Sequence, residues 1–260
     1  MPDMQPMRIA TILPTSCLGL DESDYHMCLA HLMMRPGPYC DWFAQKASAG
    51  EHVLMDNGSA ECGVPLPAET LFDLAAGVGA TEMTLPDVIW DSARTRELHL
   101  QAAELAGSYP VRLMAIPQGR TRREWASSAG YMLEHADALG IGAIGVSKFQ
   151  HGVWADRAQA ILSVPGLAAS DLDIHLLGCW GDDPTEAFRT AAALPDGRVR
   201  GIDSGIAAIY AQSGHELMRG SSSRGRPGHH LDFTRDYDPV QRGLLVFNIR
   251  RWKRAVRTGE

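Results

Sequence analysis

The sequence is poor in the residues that staple small proteins or mark common cofactor sites. Its five cysteines, Cys17, Cys28, Cys40, Cys62 and Cys179, are odd in number and scattered. No CxxC pair occurs, which argues against a zinc ribbon or a disulfide framework and predicts free, mostly buried thiols. No strand is followed by a G-x-G-x-x-G turn, so a dinucleotide-binding fold has little support. No HxH or HExxH spacing points to a metal, and none is expected. No apolar run approaches the ~20 residues of a membrane-spanning helix. The opening MPDMQPMRIATILP lacks the order of charged, apolar and small residues of a signal peptide. A cytoplasmic location is the expectation.

Basic charge is also scarce: 24 lysines and arginines face 31 acids, for a net charge of −7. That excludes a surface coated for nucleic-acid binding. The distribution is uneven, however. From Arg219 to the end, basic residues dominate and only Asp232, Asp236, Asp238 and Glu260 oppose them. Such a segment suits either a local polyanion contact or a solvated basic helix.

What is present is alternation. Short apolar, β-branched runs lie at 8–14, 52–58, 82–89, 111–119, 141–148, 173–181 and 199–205, each bounded by Gly, Pro or Asp. Helical patterns fill the gaps at 67–79, 91–107, 121–140 and 182–194, and a last one spans 240–256. Buried parallel strands alternating with helices predict an α/β fold, either an open doubly wound sheet or a closed barrel. Seven strands are clear, and an eighth could hide in 20–34. No repeat or linker divides the chain, so one domain is expected over 1–260. The stretch 213–239, with its RGSSSRGRPGHH run, reads as a mobile basic loop.

Position is the informative feature of the polar residues. In parallel α/β proteins, the carboxyl ends of the strands converge on the ligand site. Asp56 follows HVLM, Asp87 follows EMTLP, Gln118 follows VRLMAIP, Lys148 follows IGVS and Asp203 follows VRGI. Any one of these acids could be a helix cap; five strands ending in a polar group predict a shared polar pocket. Carboxylates there suit glycosidase-like nucleophile and acid/base chemistry. An acid beside an amide also suits reading the edge of a purine.

Six segments, in order, resemble the guanine transglycosylases, TIM-barrel enzymes that exchange guanine for a 7-deazaguanine base. They are MDNGSAE (55–61), LPDV (85–88), IPQG (116–119), AIGVSK (143–148), HLLGCWGDDP (175–184) and RGIDSG (200–205). DYHMCLAHL (24–32) is similar to the short phage and bacterial branch acting on DNA, the DpdA-type DNA-guanine transglycosylases. No cysteine follows Cys179, so the zinc site of the tRNA-acting enzymes has no counterpart.

The resemblance implies a single TIM-like (β/α)8 barrel with a C-terminal helix, and a pentosyltransferase without a cofactor. In that reading Asp203 is the nucleophile that forms a glycosyl-enzyme, and Asp56 is the general base. Asp87, Gln118 and the Gly145 backbone hold the base, with Asn57 and Lys148 beside it. DNA and a free 7-deazaguanine are the implied partners, and Arg224, Arg226, Arg250, Arg251, Lys253 and Arg254 the implied phosphate contacts. An accessory protein or a homo-oligomer remains open, as does host cytoplasm for a phage-encoded chain. The alternatives are a tRNA-guanine transglycosylase, a non-catalytic nucleic-acid-binding subunit, and an unrelated TIM-barrel lyase or isomerase acting on a small phosphorylated metabolite, for which GIDSG (201–205) is a poor phosphate cradle.

Overall fold

The computed structural model describes residues 7–148, 157–179, 183–195, 197–217 and 230–260. Eight strands form one parallel sheet: β1 (Arg8–Thr11), β2 (His26–Leu29), β3 (Val53–Asp56), β4 (Glu82–Thr84), β5 (Arg112–Ala115), β6 (Ile141–Ser147), β7 (Asp173–Leu177) and β8 (Val199–Ser204). The hydrogen-bonded order runs β1-β8-β7-β6-β5-β4-β3-β2. The eighth strand expected in 20–34 is β2, and the TIM-like barrel with a C-terminal helix stands.

The seam between β1 and β2 is closed differently from the rest. Residues 21–24 lie against β1 and bond to it partly through side chains. The Ile9 N–H donates to Asp24 Oδ2 at 2.9 Å, while the Asp24 N–H donates to the Ile9 carbonyl at 2.8 Å. The Thr11 N–H donates to Ser23 Oγ at 2.7 Å, and the Thr11 hydroxyl to Asp21 Oδ1 at 2.7 Å. These bonds satisfy backbone groups that a barrel edge would otherwise bury unpaired.

Eleven helices surround the strands among the described residues: α1 (Ala30–Met33), α2 (Pro38–Ser48), α3 (Ser59–Cys62), α4 (Ala68–Val78), α5 (Ser92–Ala106), α6 (Arg122–Glu134), α7 (Ala136–Leu139), α8 (Arg157–Leu162), α9 (Glu186–Ala192), α10 (Ile206–Gln212) and α11 (Pro239–Thr258). Their starts obey local chemistry. Asp91 caps α5 by accepting from the Arg94 N–H, and Thr121 caps α6 by accepting from the Glu124 N–H. Asp238 and Gln241 form a capping box on α11 with Pro239 just inside it. The helix expected over 121–140 is divided at His135, which caps both α6 and α7.

Period-two alternation along the strands separates two cores. Outward residues such as Ile9, Val53, Met83, Leu113, Ile144 and Ile202 pack beneath the helices. Inward residues Ala10, Tyr25, Met27, Leu54, Met114 and Ala143 fill the barrel itself. The amino-terminal end of the barrel is plugged by charge: the Glu82 carboxylate, fully buried, meets Arg200 at 2.6 Å, and Asp173 meets Arg112 at 2.8 Å. Burial pushes the Glu82 carboxyl up, but His52 and Arg200 hold it down at about 2. The carboxyl-terminal end is left for the pocket. No helix among the described residues is long and apolar enough to cross a membrane.

Candidate active site

The strand ends open into a cavity of about 490 Å³, within the range of small-molecule sites. Asp56, Asn57, Asp87, Gln118, Lys148 and Asp203 all line it. The positions chosen from strand-end placement are thus brought together. Gly145 is the exception. It sits in β6 inside the barrel, where a Cβ would lie 2.7 Å from Leu177 Cδ1 and 2.9 Å from Met114 Sδ. Its lack of a side chain answers packing below the pocket, and it is not among the lining residues.

Asp87 is the most tightly held member. Its Oδ1 accepts from Asn57 Nδ2 at 2.8 Å, and its Oδ2 accepts from Gln118 Nε2. The two amides are themselves fixed: Gln118 Oε1 accepts from the Trp90 N–H at 3.1 Å, and Asn57 Oδ1 from the Ser59 N–H at 2.8 Å. Gln118 and Asn57 therefore spend these groups on aiming a carboxyl. Trp90 provides its N–H from a left-handed conformation, φ 68°, which costs a bulky residue on the order of 1–3 kcal/mol. Burial raises Asp87 to about 6, with the donors from Asn57 and Gln118 pulling the other way. A carboxyl poised there can bind as acid or as base near neutrality.

Asp56 ends β3, where its Oδ2 accepts from the Gly58 N–H at 2.9 Å. Burial, then the charge of Glu61, push it well above the usual carboxylate range. Asp203 is the last residue but one of β8, with both oxygens engaged. Oδ1 lies 3.0 Å from His175 Nε2, and Oδ2 accepts from the Gly178 N–H at 3.3 Å.

Lys148 follows β6 directly. Its stem lies over Gly178, where a Cβ would fall 2.7 Å from Lys148 Cδ, and Gly178 has a φ of 71°. Only glycine meets both demands at low cost. Burial lowers the Lys148 ammonium, against the opposing pull of Asp203 and Glu61. The chain has three lysines. Lys46 pairs with Glu51 and Lys253 with Asp24, so Lys148 alone of the three reaches the pocket.

Residues that strand-end reading did not supply complete the walls. His31, Ile12, Ile209, Leu231 and Phe233 form a less polar side. The last two come from a stretch anchored to the barrel: the Thr15 N–H donates to the Phe233 carbonyl, and the Tyr237 hydroxyl donates to the Ala208 carbonyl. A turn-rich segment following a strand of a barrel is the signal that could have marked it.

The implied phosphate contacts do not gather at the pocket. Arg224 and Arg226 lie outside the described residues. On α11, Arg250 pairs with Glu22 at 2.9 Å, and Lys253 donates to the Glu22 carbonyl and faces Asp24. Those partners sit where the chain enters β2, at the end of the barrel away from the cavity. Arg251 and Arg254 are exposed on the same helix. Half of this basic face is neutralised within the molecule.

No family model matches the chain, and no curated protein matches it. Solved structures do. An aldolase, QR15, is 13% identical over 79% of this chain and 93% of its own, with a TM-score of 0.47. N-acetylneuraminate lyase from Mycoplasma synoviae is 10% identical over 81% and 72%, with a TM-score of 0.48. Deoxyribose phosphate aldolase from Aeropyrum pernix is 15% identical over 70% and 85%, with a TM-score of 0.41. Likeness of this degree concerns the barrel alone.

These findings correct the resemblance drawn from the sequence. The three solved structures just described are two aldolases and a lyase, not guanine transglycosylases, and no family match stands behind the six segments. The physical reason lies in the fold. Every parallel barrel places polar residues after short apolar strands in chain order, so Asp56, Asp87, Gln118, Lys148 and Asp203 at five strand ends mark a barrel before they mark a family. Guanine exchange in DNA, the tRNA alternative, the nucleic-acid-binding subunit, the glycosyltransferase class, and the DNA and 7-deazaguanine partners are set aside with it.

Proposed function

We propose that the chain is an enzyme acting on a small polar carbonyl compound, with Lys148 as an amine nucleophile, in the manner of a lyase or aldolase. The observation that carries this reading is the placement of Lys148. It is the one lysine of three at the pocket, its stem is seated on Gly178, and its ammonium is pushed toward neutrality by burial. A lysine must lose its proton to attack a carbonyl, and desolvation is the usual way to arrange that.

The other residues then take definite roles. The amine adds to the carbonyl carbon to give a carbinolamine. A carboxyl returns a proton to the carbinolamine oxygen, water leaves, and an iminium forms on Lys148. Asp203 and Asp56, both on the pocket wall, are the groups proposed to exchange these protons. Asp87, aimed by Asn57 and Gln118, anchors a polar substituent of the substrate. The iminium withdraws electrons from the neighbouring carbon, which is what carbon–carbon cleavage or proton loss there requires.

Reductive trapping tests the reading. The protein is incubated with a panel of 2-oxo acids and small aldehydes, treated with borohydride, and analysed by intact mass and peptide mapping. A mass increase located on Lys148, absent from Lys148→Ala, is expected. Labelling confined to Lys46 and Lys253, or no adduct with any probe, sinks the proposal. A second reading, acid–base chemistry with no adduct, is favoured by the near-neutral Asp87. It predicts probe binding that is lost in Asp87→Ala and kept in Lys148→Ala.

A further inference from the structure

We propose that His175 is the positioning residue of Asp203: as the Nε2–H tautomer it donates to Oδ1 and keeps the carboxylate turned into the pocket. The proposal rests on the reading that the barrel-mouth cavity is the active site.

His175 lies on β7 inside the barrel, 1% exposed, beside Tyr25, His52 and Arg200. An imidazole there costs desolvation and needs a partner. It has two on one nitrogen. Nε2 is 3.0 Å from Asp203 Oδ1 and 3.2 Å from the Tyr25 hydroxyl. The Tyr25 ring also meets the imidazole edge-on, with centroids 5.8 Å apart.

Space for the ring is provided by Gly201, its register partner on β8. A Cβ on Gly201 would lie 3.0 Å from the Arg8 carbonyl oxygen and 3.5 Å from His175 Nδ1. The tight limit there is the Arg8 carbonyl, and the imidazole would lie in ordinary contact with such a Cβ. The histidine thus occupies a slot shaped from both neighbouring elements.

The tautomer follows from charge. Burial lowers the imidazole, so it is neutral and carries one N–H. Asp203 is acceptor-only when ionised, so the N–H belongs on Nε2. With Oδ1 held by His175 and Oδ2 by the Gly178 N–H, the carboxylate cannot rotate away. The charged groups acting around this pair are Lys148, Glu61 and Asp56 at the pocket side, and Arg200 and Glu82 at the barrel floor.

The test compares wild type with His175→Gln, whose amide N–H can replace the Nε2 donor, and His175→Phe, which has no donor. Nitrogen-15 NMR of the wild type should show His175 as the Nε2–H tautomer. Carbon-13 carboxyl NMR at one fixed pH should show the Asp203 resonance displaced in His175→Phe, which lacks the donor, and returned toward its wild-type position in His175→Gln. The rate of borohydride trapping at Lys148 should fall at least about tenfold in His175→Phe, roughly 1.4 kcal/mol of barrier, and recover in His175→Gln.

An Nδ1–H tautomer, or an Asp203 carboxyl resonance unchanged in a folded His175→Phe, overturns the proposal. If His175→Phe does not fold, the tautomer and the trapping rate of His175→Gln decide. Absence of trapping in wild type would count against the lysine reading alone, because the tautomer and the carboxyl resonance are measured without substrate.

Discussion

Arg157 and Glu186 form an ion pair buried behind the pocket wall, exposed by only 1% and 2%. The guanidinium Nε lies 3.0 Å from Glu186 Oε1. Its Nη1 donates to the carbonyls of Val146, Leu177 and Gly178 at 3.2, 3.3 and 3.1 Å. One side chain thereby ties together the ends of β6 and β7, the two strands that lead to Lys148 and to the Gly178 N–H on Asp203.

Removing either partner leaves the other charge buried and alone. Arg157→Leu and Glu186→Gln should each lose about 3–5 kcal/mol of stability in denaturant titration. The double variant Arg157→Leu with Glu186→Leu should lose less than the sum. A loss under 1 kcal/mol in the single variants would show that water reaches the pair.

Gly178→Ala should disturb Lys148 more than it disturbs the fold. The left-handed backbone costs alanine on the order of 1–2 kcal/mol, and the new Cβ must push the lysine stem from its seat. Trapping at Lys148 should drop at least about tenfold, or roughly 1.4 kcal/mol of barrier, while circular dichroism stays that of the wild type.

Asp87 should titrate near pH 6, where burial has raised it. The sign of its effect follows: the folded carboxyl holds its proton more tightly than an unfolded one near 3.9. Stability should therefore decline as pH rises from about 4 to about 6 on its account, and gain nothing back above that. Removing a donor, in Asn57→Ala or Gln118→Leu, should move the midpoint higher still. Carboxyl NMR reads both; a midpoint near 4 in the wild type would mean that the site is wetter than its geometry indicates.

His26 should make the seam sensitive to pH in a bounded window. Its Nδ1 is 2.8 Å from Asp21 and its Nε2 2.7 Å from Glu51. These hydrogen bonds raise the imidazole despite burial, and Asp21 is lowered by His26, Ser23 and Thr11 despite its own. The histidine's contribution is full below its unfolded value of about 6.5 and lost as pH rises through the higher folded one. The contribution of Asp21 is full above about 4 and lost as pH falls through its lowered value. The difference in Tm between wild type and His26→Gln should peak between about pH 4 and 6.5 and shrink above neutrality.

Much of the barrel was legible because a buried parallel strand writes itself as a short apolar run between breakers. β2 was only faintly legible, for a physical reason: His26 interrupts the run, and Leu29 passes straight into α1 with no turn between them. The pocket was legible through placement, since Asp56, Asp87, Gln118, Lys148 and Asp203 need only share the strand ends to meet. Their partners were not. Spacing does not say that Asn57 and Gln118 turn inward on Asp87, that Gly145 is small for Leu177, or that Arg250 closes on Glu22. The family resemblance failed at the same point, because it took an order that any barrel imposes for a signature of one chemistry.

Asp24 lies where β1 and α11 meet. The Arg8 guanidinium donates to its carbonyl at 3.2 Å, and the Arg257 guanidinium pairs with its carboxylate at 2.8 Å. β1 in turn finds its ladder partner in β8. The Arg257 pair and the β1–β8 ladder both join segments that lie far apart along the chain, so the entropy of closing the loop is lost before either contact can form. Shutting the ring is therefore expected to be a late, slow event in folding rather than one that local strand pairing could begin.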